Sequence, residues 1–152
     1  MISQKSKTGL KVTAFIVTLL VIVLAGSIGK FTLDDLFGPS DTDIKAQLLK
    51  MSNEINKKCP YMLDSETQLN DTGAYRKTFY YYCTLIKYGI SEVDAKYLIY
   101  KLKPALLSGI KTNPDMKYFR EHKVTIIYYY RDKSGNHIVS FRFSPQDYLS
   151  SK

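Results

Sequence analysis

The chain has 152 residues, 45% hydrophobic and 24% charged, a globular composition that excludes a disordered chain. Its formal net charge is +8, but Lys5, Lys7, Lys11 and Lys30 flank one apolar segment. Setting those four aside leaves +4, ordinary for a folded domain and no argument for nucleic acid as a partner.

From Val12 to Gly29 the sequence VTAFIVTLLVIVLAGSIG carries no charge. As a helix it would span roughly 27 Å, close to the hydrocarbon thickness of a bilayer. Backbone groups in lipid must be satisfied within their own segment, so the sequence predicts a transmembrane signal-anchor helix at 12–29. A cleaved signal peptide competes with that reading, with Ala25, Gly26, Ser27 and Gly29 as cleavage-site residues. Serine rather than cysteine at position 27 excludes lipoprotein processing. Lys5, Lys7 and Lys11 precede the segment, and Asp34 and Asp35 follow it, which places residues 1–11 in the cytoplasm. The expectation is a single-pass protein of the cell inner membrane, its C-terminal domain periplasmic or extracellular. The lipid bilayer is then a partner through residues 12–29.

Residues 30–42 read as a tether, broken by Gly38-Pro39-Ser40, and residues 43–148 as one α+β domain. Asp41 can cap a helix running to about Lys58, where Ile44, Leu48, Met51 and Ile55 share a face. Pro60 ends it. Met62 to Leu69 alternates like a strand, Asn70-Asp71-Thr72-Gly73 supplies turn chemistry, and Arg76 to Tyr88 alternates again, so a hairpin is predicted. Ser91, with Asp94 three residues on, predicts a second helix that Pro104 should kink or stop. Asn113-Pro114 opens a short helix to about Glu121. Val124–Arg131 and His137–Phe143 form the clearest hairpin, followed by one helical turn. The predicted fold is a four-stranded antiparallel sheet with helices mainly on one face.

Chemistry is sparse. His122, His137, Cys59 and Cys83 show no zinc-ligand spacing. There is no nucleophile elbow and no glycine-rich phosphate loop, so no metal, cofactor or catalytic residue is expected. Asp64 and Glu66, on one strand face, could divide acid and base roles, but such a pair is usually just solvated. Cys59 and Cys83 are a candidate disulfide, because an exported domain meets an oxidising compartment. The bond would close about 25 residues and contribute roughly 3 kcal/mol. If Leu69 pairs with Lys77, however, Leu63 rather than Cys59 lies opposite Cys83, and bridging needs the chain to fold back at Pro60. Alternation sends half of each tyrosine triplet, Tyr80–Tyr82 and Tyr128–Tyr130, into the core. Tyr80 and Tyr82 are left as a candidate protein-contact surface.

The stretch Asn56-x-x-Cys59-Pro60-x-x-x-Asp64-x-x-Thr67-x-Leu69, with Tyr128–Tyr130 and Asp132 to Gly135 later, resembles a group of small uncharacterised bacterial proteins with an N-terminal apolar anchor. The resemblance covers residues 10–147 and implies envelope placement and no catalytic residue. Asp64 and Thr67 could equally hold the first hairpin together by side-chain to backbone bonds. The expected function is a non-enzymatic, tethered module that binds another envelope protein or assists an assembly. Fold-level analogy offers a pilotin-like secretion accessory domain as one alternative. A ligand-binding domain or enzyme with a site invisible in sequence is the other.

Overall fold

The computed structural model describes residues 40–150. The first helix, α1 (Asp41–Asn56), is capped by Ser40 rather than Asp41: the Ser40 hydroxyl accepts from the Asp43 N–H, and the Asp43 carboxylate accepts from the Ser40 N–H. Ile44, Leu48, Met51 and Ile55 face the core together. The strand expected over 62–69 is itself a hairpin. β1 (Tyr61–Met62) pairs with the start of β2 (Thr67–Tyr75) because Asp64 folds the intervening residues back. Its Oδ1 accepts from the Glu66 and Thr67 N–H groups, each at 2.7 Å.

The expected turn at residues 70–73 lies inside β2, where the register shifts between Leu69 and Asp71 as a bulge. The chain reverses instead at Arg76-Lys77, with Arg76 at φ 52°, and returns as β3 (Thr78–Leu85). Leu69 therefore pairs with Cys83, not Lys77. A 3₁₀ turn, Ile90–Glu92, precedes α2 (Ala95–Thr112), which Asp94 caps through the Lys96 and Tyr97 N–H groups. The helix continues through Pro104, which was expected to kink or stop it. Pro104 is exposed, and the carbonyl it leaves unbonded belongs to Tyr100, 73% exposed on the same face, where water can take the bond. After a second 3₁₀ turn (Pro114–Met116) and α3 (Lys117–Glu121), the chain forms β4 (Thr125–Asp132), β5 (His137–Phe143) and α4 (Pro145–Leu149). The Tyr148 hydroxyl of α4 donates to the Val124 carbonyl at 2.7 Å and locks the C-terminus onto the start of β4.

The sheet has five strands in the order β1-β2-β3-β4-β5. The four-stranded antiparallel expectation is thereby corrected twice. β1 adds a strand, and β3 pairs with β4 in parallel, Thr78 opposite Thr125 through Leu85 opposite Asp132. Parallel neighbours need a long crossover, and α2 with α3 supplies it. Among the described residues no helix is long and apolar enough to cross a membrane. The predicted span at 12–29, the tail at 1–11 and residues 30–39 of the tether lie outside the described residues.

One face of the sheet is the core. Phe79, Tyr81, Cys83 and Leu85 of β3, Ile126, Tyr128 and Tyr130 of β4, and Val139, Phe141 and Phe143 of β5 pack with Leu48 of α1, Leu102 and Leu106 of α2 and Phe119 of α3. Tyr130 is wholly buried, and its hydroxyl has no hydrogen-bond partner among the described residues. Burial drives its phenol pKa well above 10. An unpaired buried hydroxyl is destabilising. Tyr130→Phe is accordingly expected to leave stability equal or up to about 1 kcal/mol higher in urea unfolding. A loss above about 2 kcal/mol would mean that a bound water satisfies the hydroxyl.

Asp132, 1% exposed, knots the far end of the sheet. Its Oδ1 accepts from the Ser134 and Asn136 N–H groups, and its Oδ2 from the Ile90 N–H and the Asn136 side-chain amide. Gly135, at φ 87°, makes the tight turn between them possible. The Asn136 side-chain bond, with the backbone bonds behind it, holds the Asp132 carboxyl below its ordinary 3.8. A lowered folded-state pKa gives stability that is complete above about pH 4 and drains away as pH falls through the folded value. Asp132→Asn keeps one acceptor oxygen but turns an NH₂ toward the Ile90 N–H. The variant is expected to melt several degrees lower at pH 7 and to lose less further stability than the parent between about pH 4 and 2. Equal acid limbs in thermal melts would show that Asp132 is not the titrating group.

Candidate functional site

The second face of the sheet lies opposite the helix-packed core, and strand alternation together with the parallel β3–β4 register decides what it carries. Tyr82 lies beside Tyr129, Tyr80 beside Ile127 and Thr84 beside Arg131, all half-buried. On β5, Arg142 pairs with Ile127, Ser140 with Tyr129 and His137 with Arg131. The Tyr80 and Tyr82 rings stack with centroids 6.2 Å apart and planes 7° apart. Tyr129 leans on Tyr82 at 6.0 Å, and His137 on Tyr129 at 4.5 Å. The Arg131 guanidinium carbon lies 5.9 Å from both the Tyr82 and the Tyr129 ring centroids, within cation–π range. Partial burial raises the Tyr82 phenol pKa, helped by Tyr80 and Asp71 and opposed by Arg131. Apart from Ile127 and from Asp71 at its β2 side, the groups named on this platform are aromatics, short polar side chains or cations.

Of the residues singled out from sequence, Tyr80 and Tyr82 lie on this face. Tyr129 and Arg131 belong to it too, and sequence reasoning did not pick them out. Their signal was parity: in TIIYYYRD, Tyr129 and Arg131 alternate with the buried Tyr128, Tyr130 and Asp132. The central tyrosine of the first triplet points inward and that of the second outward, and the β3–β4 register sets Tyr81 beside Tyr128 and Tyr82 beside Tyr129.

The residues of the Asn56 to Leu69 segment lie elsewhere and do structural work. Asn56 Nδ2 donates to the Thr72 carbonyl at 2.9 Å, and its Oδ1 accepts from the Thr72 N–H at 2.8 Å. Pro60 follows a cis peptide bond. Asp64 builds the β1–β2 turn, while Thr67 and Leu69 are buried. Glu66, considered with Asp64 as an acid–base pair, accepts from the Tyr88 hydroxyl at 2.8 Å. Cys59 and Cys83 are free thiols, half-buried and fully buried. Burial pushes the Cys83 thiol up to about 12, with Asp64 and Cys59 adding to the shift, and burial also raises Cys59. Burial thus favours the protonated thiol at both positions. Among the described residues no group of three or more His, Cys, Asp or Glu side chains could hold a metal ion.

Three solved structures share the fold. A Pseudomonas aeruginosa protein inferred to be secreted matches with TM-score 0.60 at 12% identity, over 72% of this chain and 98% of that one. The type II secretion system pilotin AspS of Vibrio cholerae matches with TM-score 0.55 at 7% identity, over 70% and 94% of the two chains. The pilotin EpsS of the Vibrio vulnificus type 2 secretion system matches with TM-score 0.60 at 5% identity, over 73% and 96%. No curated protein sequence matches the chain. The single-pass inner-membrane placement expected from the sequence is corrected here. Its relatives in fold are a secreted-type protein and secretion pilotins, and no described helix could span a bilayer. A sequence family covers residues 43–139, most of the domain, and the chain belongs to that family, a domain of unknown function (DUF8479).

Proposed function

We propose that this chain is a pilotin-like accessory domain of a secretion system, and that it docks a segment of an envelope protein on the open face of its sheet. The observation that carries this reading is the fold shared with AspS and EpsS over more than nine-tenths of each pilotin. The tyrosine–arginine platform supplies the means. Tyrosine offers large contact area at little entropic cost, and tyrosine and arginine are enriched where interfaces bind tightly. Among the described residues no acidic or nucleophilic cluster shares that face.

The test places a photo-crosslinking residue at position 142, in the same cross-strand row as Tyr80, and another at position 45 on the exposed side of α1. In the cells that make the protein, position 142 should yield a crosslink to an envelope component of a secretion system. That product should vanish in a Tyr80→Ser/Tyr82→Ser double variant. Crosslinking from position 45 alone would remove the sheet face from the proposal. A face-dependent product unrelated to secretion would instead remove the pilotin-like role.

A further inference from the structure

We infer that Arg131 is the anion-reading residue of the docking face, and that the segment bound there presents it with a carboxylate. This rests on the docking reading above. The Arg131 guanidinium carbon lies to one side of the Tyr82–Tyr129 pair, 5.9 Å from each centroid, so both rings favour the cation at that place on the face. Its Nε is buried and makes no hydrogen bond among the described residues. The side chain as a whole is half-buried, and its terminal N–H groups, unlike Nε, are not among the sealed unpaired atoms, so they are the donors an outside acceptor meets. No carboxylate of the described residues forms an ion pair with Arg131. The nearby acid on this face, Asp71, sits in the row of Tyr82 and is engaged by the Thr72 N–H.

A carboxylate can accept from the two terminal N–H groups together, the planar two-point contact that arginine makes and lysine cannot. The charge of the face selects the occupant. Arg131 and Arg142 stand on it, and neither has an ion-pair partner among the described residues. A second copy docking face to face would set these cations against each other, which disfavours a symmetric self-contact. An acidic residue in a partner segment supplies the missing counter-charge, while the tyrosines take its apolar neighbours.

The experiment pans a phage library of random 16-residue peptides on the immobilised full-length chain, then measures selected peptides in solution. Peptides whose binding is lost in the Tyr80→Ser/Tyr82→Ser variant should share an Asp or Glu. Changing that acid to its amide should weaken binding at least about tenfold without any change to the protein. Arg131→Met should abolish the difference between acid and amide, and Arg131→Lys should retain only part of it. Far-UV circular dichroism of the variants checks that they fold, and the amide peptide gives the same answer on unaltered protein. Face-dependent peptides without an acidic residue, or an amide bound as tightly as the acid, would overturn the role of Arg131 while leaving the docking face intact. If no selected peptide depends on Tyr80 and Tyr82, the docking face falls and the inference falls with it.

Discussion

Phe79→Ala should destabilise the domain by about 3–5 kcal/mol, the range for deleting a fully buried aromatic ring. Phe79 is 0% exposed, on the inward face of β3. Its ring lies 5.1 Å from both Tyr81 and Phe119, edge-on to the latter, so it joins the sheet to α3. The backbone holds it between Ala74 of β2 and Ile126 of β4. Alanine would leave a cavity walled by strands on two sides, and strands in register cannot close over it. The loss is a large part of the 5–15 kcal/mol that holds an ordinary domain together. Urea unfolding should show a much lower midpoint at unchanged slope. Phe79→Leu, which keeps most of the volume, should cost markedly less. A loss below about 1 kcal/mol for the alanine variant would mean that α3 moves in to fill the space.

The position of Phe79 could be read from sequence, since β3 alternates and Phe79, Tyr81, Cys83 and Leu85 share one parity. The same holds for the buried stripe of α1, which repeats at helical spacing, and for the β4–β5 hairpin, whose strands are separated by a short turn. These features are local. What was not legible depends on contacts distant in sequence. The pairing of β3 with β4 joins Thr78 to Thr125 across a helical crossover, and no local pattern distinguishes that arrangement from a second antiparallel hairpin. Asn70-Asp71-Thr72-Gly73 has turn chemistry, yet Thr72 is buried against α1 and the pattern becomes a bulge instead. The candidate site inherits this limit. Tyr80 and Tyr82 follow from alternation within one strand, as does the Arg131–Tyr129 contact within β4, whereas the contact of Arg131 with Tyr82 exists only because β3 and β4 are parallel neighbours.

Asn56→Ala should be the second most damaging change, by about 2–4 kcal/mol, although no apolar contact is lost. β1 covers the outer edge of β2 only at Gln68 and Leu69. Beyond the bulge that edge has no strand, and without α1 the buried Thr72 would leave its C=O unpaired and its N–H with only the adjacent Asp71 carboxylate. The Asn56 amide takes the place of the missing strand, donating to the Thr72 carbonyl and accepting from its N–H and its hydroxyl. Ser52, one turn earlier on α1, adds a bond to the same carbonyl at 3.0 Å, so Ser52→Ala should cost less than the loss of Asn56. Asn56→Asp separates the two halves of the contact. Its carboxylate still accepts from the Thr72 N–H but opposes the Thr72 carbonyl with a second oxygen. Protonation turns that oxygen into a donor, so folding should raise the pKa of the new acid. The variant should therefore gain stability relative to the parent as pH falls from 7 toward 4. Parallel pH profiles for the two proteins would show that the donation to the Thr72 carbonyl matters little, and that Ser52 alone can hold α1 to the bulge.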